Sequence, residues 1–362
     1  MIPETSTSLP QPMGDDLTRQ FEPRPIVSIG AGGIVHDSHL PAYRKARFPV
    51  AALIDPDRPK ADVLAAEFSI PKTFASIADA LPHVPRECIF DVAVPASAIL
   101  KVLPQLPDGS AVLIQKPMGE TLAEAVAIEQ LCRDKGLTAA VNFQLRWAPV
   151  MRMARQYAKA GLLGDVHEME VHVSVHMPWE LWTFMKTIPR LEILYHSIHY
   201  VDLVRAWFGN PRKVLAKTMR NPLSASLAAT RSVIVMEYDD WKRVTISANH
   251  AHRYPSTQRS QVQWEGTEGA LEAIMGVNLD YPTGKPDRLR YARLGEEWAT
   301  VPTEGNWFPD AFMGSMDSLQ AYVAGVASEL PTRVSDALDT MRTVEAAYLS
   351  SQLDGQPLPE VA

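Results

Sequence analysis

The sequence predicts an α/β domain with a doubly wound parallel sheet, followed by an α+β domain with an open, mostly antiparallel sheet. The first domain is indicated by short, nearly continuous apolar runs that alternate with helical patterns. Such runs are typical of parallel strands covered by helices on both faces. The predicted strands are 26–29, 50–54, 89–94, 111–114 and 137–143.

The second domain is indicated by longer runs that alternate between apolar and polar residues. Alternation predicts strands with one buried and one polar face, as in antiparallel sheets. The predicted strands are 166–175, 232–238, 243–248 and 258–265. Helical patterns cover 193–208, 315–328 and 334–352.

Domain boundaries follow from these patterns. Residues 1–24 are polar and proline-rich and predict an arm that is mobile or ordered only against a partner. We assign residues 25–145 to the dinucleotide-type domain and residues 146–362 to a substrate-binding and oligomerisation domain. A capping box, Thr121 with Glu124, begins the crossover helix before the last parallel strand, and Gly136 ends it.

Composition restricts the functional classes. With 362 residues, 46% of them hydrophobic, the chain is long enough for two cores. A net charge of −7 gives no electrostatic reason to expect nucleic acid or anionic lipid as a partner. We expect no membrane span or signal peptide, and Cys88 and Cys132 as free thiols, so the predicted location is the cytoplasm.

A glycine turn after the first strand predicts the cofactor site. Gly30, Ala31, Gly32, Gly33 and Ile34 lie between the first strand and a helical pattern, the order that presents backbone N–H groups to a diphosphate. The third glycine of the usual fingerprint is replaced by Val35.

An acidic residue strengthens this prediction. Asp55 ends the second strand, where a carboxylate can accept both ribose hydroxyls and repel a 2′-phosphate. We therefore expect NAD rather than NADP, although Arg58 lies nearby in the sequence. The alternative for Asp55 is an acid at a helix N-terminus.

The segment Ile114-Gln115-Lys116-Pro117 resembles the glucose-fructose oxidoreductase and inositol dehydrogenase family (Gfo/Idh/MocA). In that family this strand ends in Glu-Lys-Pro, the lysine enters the active site and the lysine–proline bond is often cis; here glutamine replaces the glutamate. The resemblance spans about residues 25–352 and includes the segments 142–149, 161–166, 199–202, 266–270, 335–337 and 345–348.

The resemblance implies an NAD(P)-dependent dehydrogenase with a Rossmann domain. His199 is then the candidate base, and Lys116 stabilises the oxygen at the reacting carbon. Pro95 and Gln115 join Lys116 in the cofactor site. We count Arg146 with the substrate-binding residues, although a structural clamp between the domains is its favoured role.

One departure from the family concerns Tyr195, which stands where an aspartate is usual, four residues before His199. It could take part in proton transfer if Lys116 lowers its pKa, stack on a sugar, or simply pack. Glu192, His196 and His199 have the spacing of one helix face, yet we expect no metal, and His196 is assigned to the substrate.

A strand of the second domain and the segment after it supply further candidates. His172, Ser174 and His176 share one face of the strand. Trp179 and Trp182 could form an aromatic wall over a sugar ring. We assign His176 and Trp182 to substrate binding; a polar sheet face and packed tryptophans are the alternatives.

The sequence thus predicts hydride transfer between NAD and a secondary hydroxyl or ketone of a sugar, sugar acid or cyclitol. Two alternatives stay open: an isomerase, epimerase or lyase that retains NAD and oxidises its substrate transiently, and a non-catalytic sugar sensor. The open sheet predicts a homodimer or homotetramer.

Overall fold

The computed structural model describes residues 9–10, 20–181, 183–281, 283–353 and 355–358. Its first sheet consists of β1 (Ile26–Ile29), β2 (Val50–Ile54), β3 (Thr73–Phe74), β4 (Ile89–Val92), β5 (Ala111–Ile114) and β6 (Thr138–Val141). All pairings are parallel, in the order β3-β2-β1-β4-β5-β6. The order in which successive strands are added to the sheet reverses between β1 and β4, which in such sheets opens a crevice for ligands at the carboxyl ends of the strands.

The second sheet has eight strands. They are β7 (Val166–Ser174), β8 (Lys213–Met219), β9 (Arg231–Glu237), β10 (Arg243–Asn249), β11 (Arg259–Gly266), β12 (Gly269–Ile274), β13 (Arg288–Arg293) and β14 (Ala299–Val301). Their order is β14-β13-β12-β11-β7-β10-β9-β8, and β7 with β10 is the one parallel pairing within this sheet. Both parts of the predicted fold class are confirmed.

Helices connect and cover these sheets. The α-helices are α1 (Leu40–Lys45), α2 (Arg58–Phe68), α3 (Ile77–Ala80), α4 (Ile99–Val102), α5 (Leu122–Asp134), α6 (Pro149–Lys159), α7 (Ile198–Phe208), α8 (Asp310–Val323) and α9 (Val334–Gln352). Turns of π-helix, Val35–His39 and Ile193–Ser197, directly precede α1 and α7. The 3₁₀ turns are Leu81–His83, Ala96–Ala98, Leu103–Gln105, Gln144–Trp147, Trp179–Leu181, Thr183–Thr187, Pro222–Ser224, Pro255–Thr257 and Gly276–Leu279. Within the described segments, no helix is both long and apolar enough to cross a membrane.

Several predicted elements differ from the structure. The predicted helix 315–328 begins earlier, at Asp310, and ends at Val323, just before Gly325 with φ +72°. The predicted strand 89–94 ends at Val92, because the chain then turns into the cavity described below. Strands β3, β8, β12, β13 and β14 were not predicted.

The C-terminal helices return to the first sheet. Phe312, Met316 and Leu319 of α8 are buried in the same apolar cluster as Ile26 and Leu53. The end of the N-terminal arm is fixed to α8, because the backbone N–H and carbonyl of Arg24 both bond the Gln320 side chain at 2.9 Å. Most of the arm lies outside the described residues.

Candidate active site

The glycine turn follows β1 and leads into the π-helical turn before α1. Gly30 has φ +108°, and a Cβ on it would lie 2.4 Å from the carbonyl oxygen of Ala93. A side chain is therefore excluded there. A Cβ on Gly32, in contrast, would meet no atom within 4 Å. The backbone at Gly32 thus faces open space, as a diphosphate cradle requires.

Asp55 is positioned beside this turn by backbone hydrogen bonds. Its Oδ2 accepts from the N–H of Ala31 at 2.7 Å, and its Oδ1 accepts from the N–H of Asp57 at 2.9 Å. The carboxylate therefore lies where the ends of β1 and β2 meet. Arg58, which begins α2, lies 3.9 Å from Asp62.

A cavity of about 270 Å³ lies between the glycine turn and the second domain. The residues of the first domain on its wall include Gly32, Gly33, Ile34, Pro95, Gln115 and Lys116. Those on the facing wall include Tyr195, His196, His199, His250, Asn278 and Trp307. Gly30, Ala31 and Asp55 support the turn without lining this cavity.

Lys116 reaches the cavity from the end of β5. Its peptide bond to Pro117 is cis, and its Nζ donates to the backbone carbonyl of Tyr195 at 2.7 Å. Burial lowers the pKa of Lys116 from 10.5 to about 8, because the low-dielectric surroundings disfavour the ammonium form. Gln115 turns inward as well, and its Oε1 accepts from the N–H of Lys116 at 3.2 Å.

His199 lies on α7 and lines the same cavity as Lys116. Burial, and secondarily the charge of Lys116, holds the pKa of His199 well below its usual 6.5. Its ring packs edge-on against Trp307 with centroids 5.6 Å apart, and its Nδ1 has no hydrogen-bond partner among the described residues. The two residues proposed for the chemistry therefore converge, although they are 83 positions apart in the sequence.

Tyr195 lines the cavity but has a different environment from the one expected. Its hydroxyl donates to Glu120 Oε1 at 3.1 Å, while Lys116 contacts its backbone rather than its phenol. Burial first and Glu120 second raise the pKa of Tyr195. The expectation that Lys116 lowers this pKa is therefore wrong, and proton transfer by Tyr195 on that basis is not carried forward.

Glu192 faces away from His199, contrary to the helix-face spacing. The π-helical turn Ile193–Ser197 inserts an extra residue, and the buried carboxylate accepts from the hydroxyls of Ser197, at 2.5 Å, and Ser232. Its Oε1 also lies 3.3 Å from Nδ1 of His250. Among the described residues, no three His, Cys, Asp or Glu side chains are grouped so that they could hold a metal ion.

Arg146 is a clamp between elements and does not line the cavity. Its guanidinium donates twice to Asp202 at 2.6 Å, once to Asp336 at 2.8 Å and once to the carbonyl of Pro331 at 3.0 Å. These bonds join the 3₁₀ turn after β6 to α7, to α9 and to the segment leading into α9. Because its donors are engaged, the assignment of Arg146 to substrate binding is corrected to a structural role.

The strand candidates are only partly at the site. His172 and Ser174 are half-buried opposite the buried Val171 and Val173, which agrees with the predicted alternation. His176 follows β7 and does not line the cavity. Trp182 lies outside the described residues.

Trp179, in the same segment, is buried. Its ring packs edge-on against His196 with centroids 5.0 Å apart. Trp179 does not itself line the cavity, so an aromatic wall over a sugar ring stays a prediction.

Some cavity residues were missed by the sequence analysis. His250 comes directly after β10, and Gln144, Asn278 and Trp307 lie in turns far apart in the chain. The position of His250 at the end of a strand was a usable signal. The other three have no local pattern that separates them from ordinary loop residues.

Two domain models of known families match the chain. A model described as an oxidoreductase family with an NAD-binding Rossmann fold matches residues 25–143. A model described as the GFO/IDH/MocA C-terminal domain matches residues 151–272. Together they cover all six strands of the first sheet and, in the second, β7 to β11 with part of β12.

Individual relatives agree with these matches. A D-xylose 1-dehydrogenase (NADP(+)) of Haloferax volcanii is 26% identical over 90% of this chain and 96% of the relative. A D-apiose dehydrogenase of Paraburkholderia graminis is 24% identical over 88% of this chain and 86% of its own. The solved aldose-aldose oxidoreductase of Caulobacter crescentus is 17% identical, with a TM-score of 0.77 over 91% of this chain and 98% of that one.

Proposed function

Because the chain belongs to the GFO/IDH/MocA family of oxidoreductases, we propose that it transfers a hydride between NAD and a secondary hydroxyl or ketone of a sugar, sugar acid or cyclitol. The observation that carries this proposal is the convergence of Lys116 and His199 on one cavity whose opposite wall is the glycine turn. Relatives named as D-xylose and D-apiose dehydrogenases support a sugar as the substrate.

The residues around the glycine turn fit a dinucleotide. Gly32, Gly33 and Ile34 would hold the diphosphate, since a Cβ at Gly32 would enter open space and the turn leads directly into helical backbone. Asp55 would accept the ribose hydroxyls, and its charge disfavours a 2′-phosphate. Pro95 and Gln115 would border the redox end. NAD, when bound, supplies the hydride acceptor.

The side chains of the protein handle the oxygen and its proton. Lys116 donates a hydrogen bond to the reacting oxygen and stabilises the negative charge that develops there. His199 is neutral near pH 7 because its pKa is lowered, so its free nitrogen can accept the hydroxyl proton. Since Nδ1 of His199 is enclosed, we assign this role to Nε2.

The residues that line the cavity are of the types that bind a polyhydroxylated substrate. Polar side chains such as Gln144 and Asn278 line the cavity together with aromatic ones such as Tyr281 and Trp307. Amides bind hydroxyl groups, and aromatic faces pack against the C–H face of a sugar ring. The volume of the cavity suits a small ring rather than a polymer.

Turnover of a panel of polyols, followed by the absorbance of NADH, tests the proposal. We expect turnover by the wild-type chain and a loss of about 100-fold or more in kcat for Lys116→Met and for His199→Asn. Lys135→Met, which removes a surface ion pair with Asp108, is the matched control and should keep wild-type turnover. Retained turnover in both site variants would refute the assignment.

Product analysis separates the remaining possibilities. Net oxidation gives equal amounts of NADH and ketone, whereas a converted substrate without NADH accumulation indicates internal redox. Tight NAD binding with no converted polyol indicates a sensor.

We further propose a homo-oligomer in the cytoplasm. Leu215, Met219 and Val233 are exposed on β8 and β9, where a second copy would cover them. Cys88 and Cys132 are both buried free thiols, which fits a reducing compartment. Light scattering on the wild-type chain and on Leu215→Glu tests the assembly, and a monomeric wild-type chain would refute it.

A further inference from the structure

A buried carboxylate joins two separate segments of the cavity wall. Asp287, which directly precedes β13, is 7% exposed and does not itself line the cavity. Its Oδ1 accepts from the backbone N–H of Gly276 at 2.6 Å, and its Oδ2 accepts from the backbone N–H of Trp307 at 2.5 Å. Hydrogen bonds to an ionised acceptor are short and about twice as strong as neutral ones. One side chain therefore fixes the backbone of two loops that are far apart in the sequence.

The loop on the Trp307 side is anchored to the first domain. The backbone N–H of Asp287 donates to Oδ1 of Asn306 at 2.8 Å, and the backbone N–H of Asn306 donates to Oδ2 of Asp310 at 2.8 Å. The other oxygen of Asp310 accepts from Nζ of Lys45, at the end of α1, at 2.9 Å. Because α1 continues the helical turn that follows the glycine turn, this series of bonds connects the cavity wall to the proposed cofactor site.

The turn on the Gly276 side is closely packed. A Cβ on Gly276 would lie 1.8 Å from a neighbouring backbone oxygen. The same turn carries Asn278, whose Nδ2 donates to the hydroxyls of Ser260 at 2.9 Å and Tyr200 at 3.1 Å. Since Asn278 and Tyr200 both line the cavity, the bond from Gly276 to Asp287 helps to fix the polar part of the wall.

The ionised form of Asp287 depends on these two backbone bonds. Burial first, and then the charge of Asp310, raises the pKa of Asp287 from 3.8 to about 6, although the N–H groups of Gly276 and Trp307 favour the carboxylate. Within the described residues, no lysine or arginine forms an ion pair with Asp287; the cation of this region, Lys45, is bonded to Asp310. The backbone bridge is therefore sensitive to the protonation of one side chain.

We propose that Asp287 is a positioning residue of the substrate site, which holds Trp307 and the turn that carries Asn278 at a fixed spacing across the substrate region. This inference rests on the proposed function and adds what keeps the substrate wall in place. Trp307 lines the cavity and packs edge-on against His199, with ring centroids 5.6 Å apart. Binding and catalytic side chains need such support, because a displacement of about 1 Å is enough to weaken their action.

Asp287→Asn keeps the shape of the side chain but accepts only one of the two bonds, because its amide nitrogen is a donor that faces a second donor. We expect KM for the polyol to rise by about fivefold or more, with a smaller fall in kcat and no change in Kd for NAD. Asp287→Glu, which restores the charge and both acceptors, should recover part of the loss in KM.

Asp239→Asn is the matched control for this substitution. Asp239 also accepts from two backbone N–H groups, those of Trp241 and Lys242, each at 2.9 Å. It lies, however, on the exposed hairpin between β9 and β10 and does not support the cavity. Asp239→Asn should therefore leave KM and kcat unchanged.

The pH dependence of the wild-type enzyme gives a readout that a loss of packing alone would not move. Ionised Asp287 accepts both bonds, and protonation removes one of the acceptors. KM for the polyol should therefore rise as the pH falls through about 6, and this rise should be absent in Asp287→Asn.

NMR of protein labelled with nitrogen-15 tryptophan tests the bridge without turnover. The backbone N–H signal of Trp307, identified by its absence in Trp307→Phe, should shift with a midpoint at about pH 6 in the wild-type chain. The same signal should lose this titration in Asp287→Asn. Because the wild-type chain gives both pH readouts, the test stays decisive if Asp287→Asn does not fold.

An active enzyme whose KM for the polyol is unchanged in Asp287→Asn and independent of pH around 6 would overturn the positioning role and leave the proposed function standing. A Trp307 signal that does not titrate in this range, or an equal rise of KM in Asp239→Asn, would also overturn it. A wild-type chain that oxidises no polyol would overturn the proposed function and the positioning role with it.

Discussion

Replacing Lys116 by methionine should stabilise the protein while it removes activity. Burial lowers the pKa of this amine from 10.5 to about 8, and each unit corresponds to about 1.4 kcal/mol. Carrying the ammonium in the folded state at pH 7 therefore costs about 3 kcal/mol. Methionine avoids this cost but loses the bond from Nζ to the carbonyl of Tyr195, worth about 1 kcal/mol. We expect a net gain of about 2 kcal/mol at pH 7.

The sign of the pH dependence distinguishes this explanation from ordinary packing. A lysine whose folded-state pKa is depressed destabilises the fold fully below pH 8, and this cost disappears as the pH rises from about 8 to 10.5. The gain from Lys116→Met should therefore shrink over that window. Above it, the variant should be slightly less stable than the wild-type chain, because only the lost hydrogen bond remains.

Urea unfolding of the cofactor-free protein at several pH values measures the effect. Lys135→Met is again the control, since its partner Asp108 is exposed and no comparable gain is expected. A variant at position 116 that is less stable at pH 7, or whose gain stays constant up to pH 10.5, would refute the burial of a charged amine.

Other predictions concern the cofactor site and Tyr195. Asp55→Ala should weaken NAD binding by about tenfold and reduce the preference for NAD over NADP, as measured by calorimetry; an unchanged preference would contradict the ribose role. Gly32→Ala should leave the unfolding free energy within about 0.5 kcal/mol of wild type but weaken NAD binding, and normal binding would show that the open space is not used. Gly30→Ala should lower the free energy of unfolding by about 2 kcal/mol or more, because of the positive φ and the clash with the carbonyl oxygen of Ala93. Tyr195→Phe should keep kcat within the same order of magnitude, since the hydroxyl bonds Glu120; a large loss would restore a role in proton transfer.

The parts of the site that could be predicted from sequence are those that lie directly after a predicted strand. The glycine turn, Asp55 and Lys116 each follow directly after a strand, so strand patterns and the parallel topology place them at one edge of the sheet. His199 could be proposed only through the family motif on its helix.

Other features depend on contacts between distant segments. The direction of the Tyr195 hydroxyl is decided by Glu120, which is 75 positions away. The π-helical turn rotates Glu192 away from the face that regular helical spacing predicts, and toward His250. Such departures from regular geometry have no signature in apolar periodicity.

Strand β8 was missed for a different reason. Its exposed face carries lysines beside the apolar Leu215, and its other face is only half-buried. The sequence therefore does not alternate clearly between polar and apolar residues. Its edge is covered by α9, whose Ser350 and Ser351 hydroxyls accept from the N–H groups of Ala216 and Thr218 at 2.9 Å. This protection arises from a helix more than 130 residues later, which local sequence could not indicate.

A crystal structure of the chain with bound NADH would show whether Lys116 and His199 meet at the nicotinamide ring. We expect the diphosphate against the backbone of Gly32 and Gly33, and the nicotinamide ring in the cavity between Lys116 and His199. A nicotinamide ring bound away from this cavity, or with either side chain turned out of reach, would contradict it.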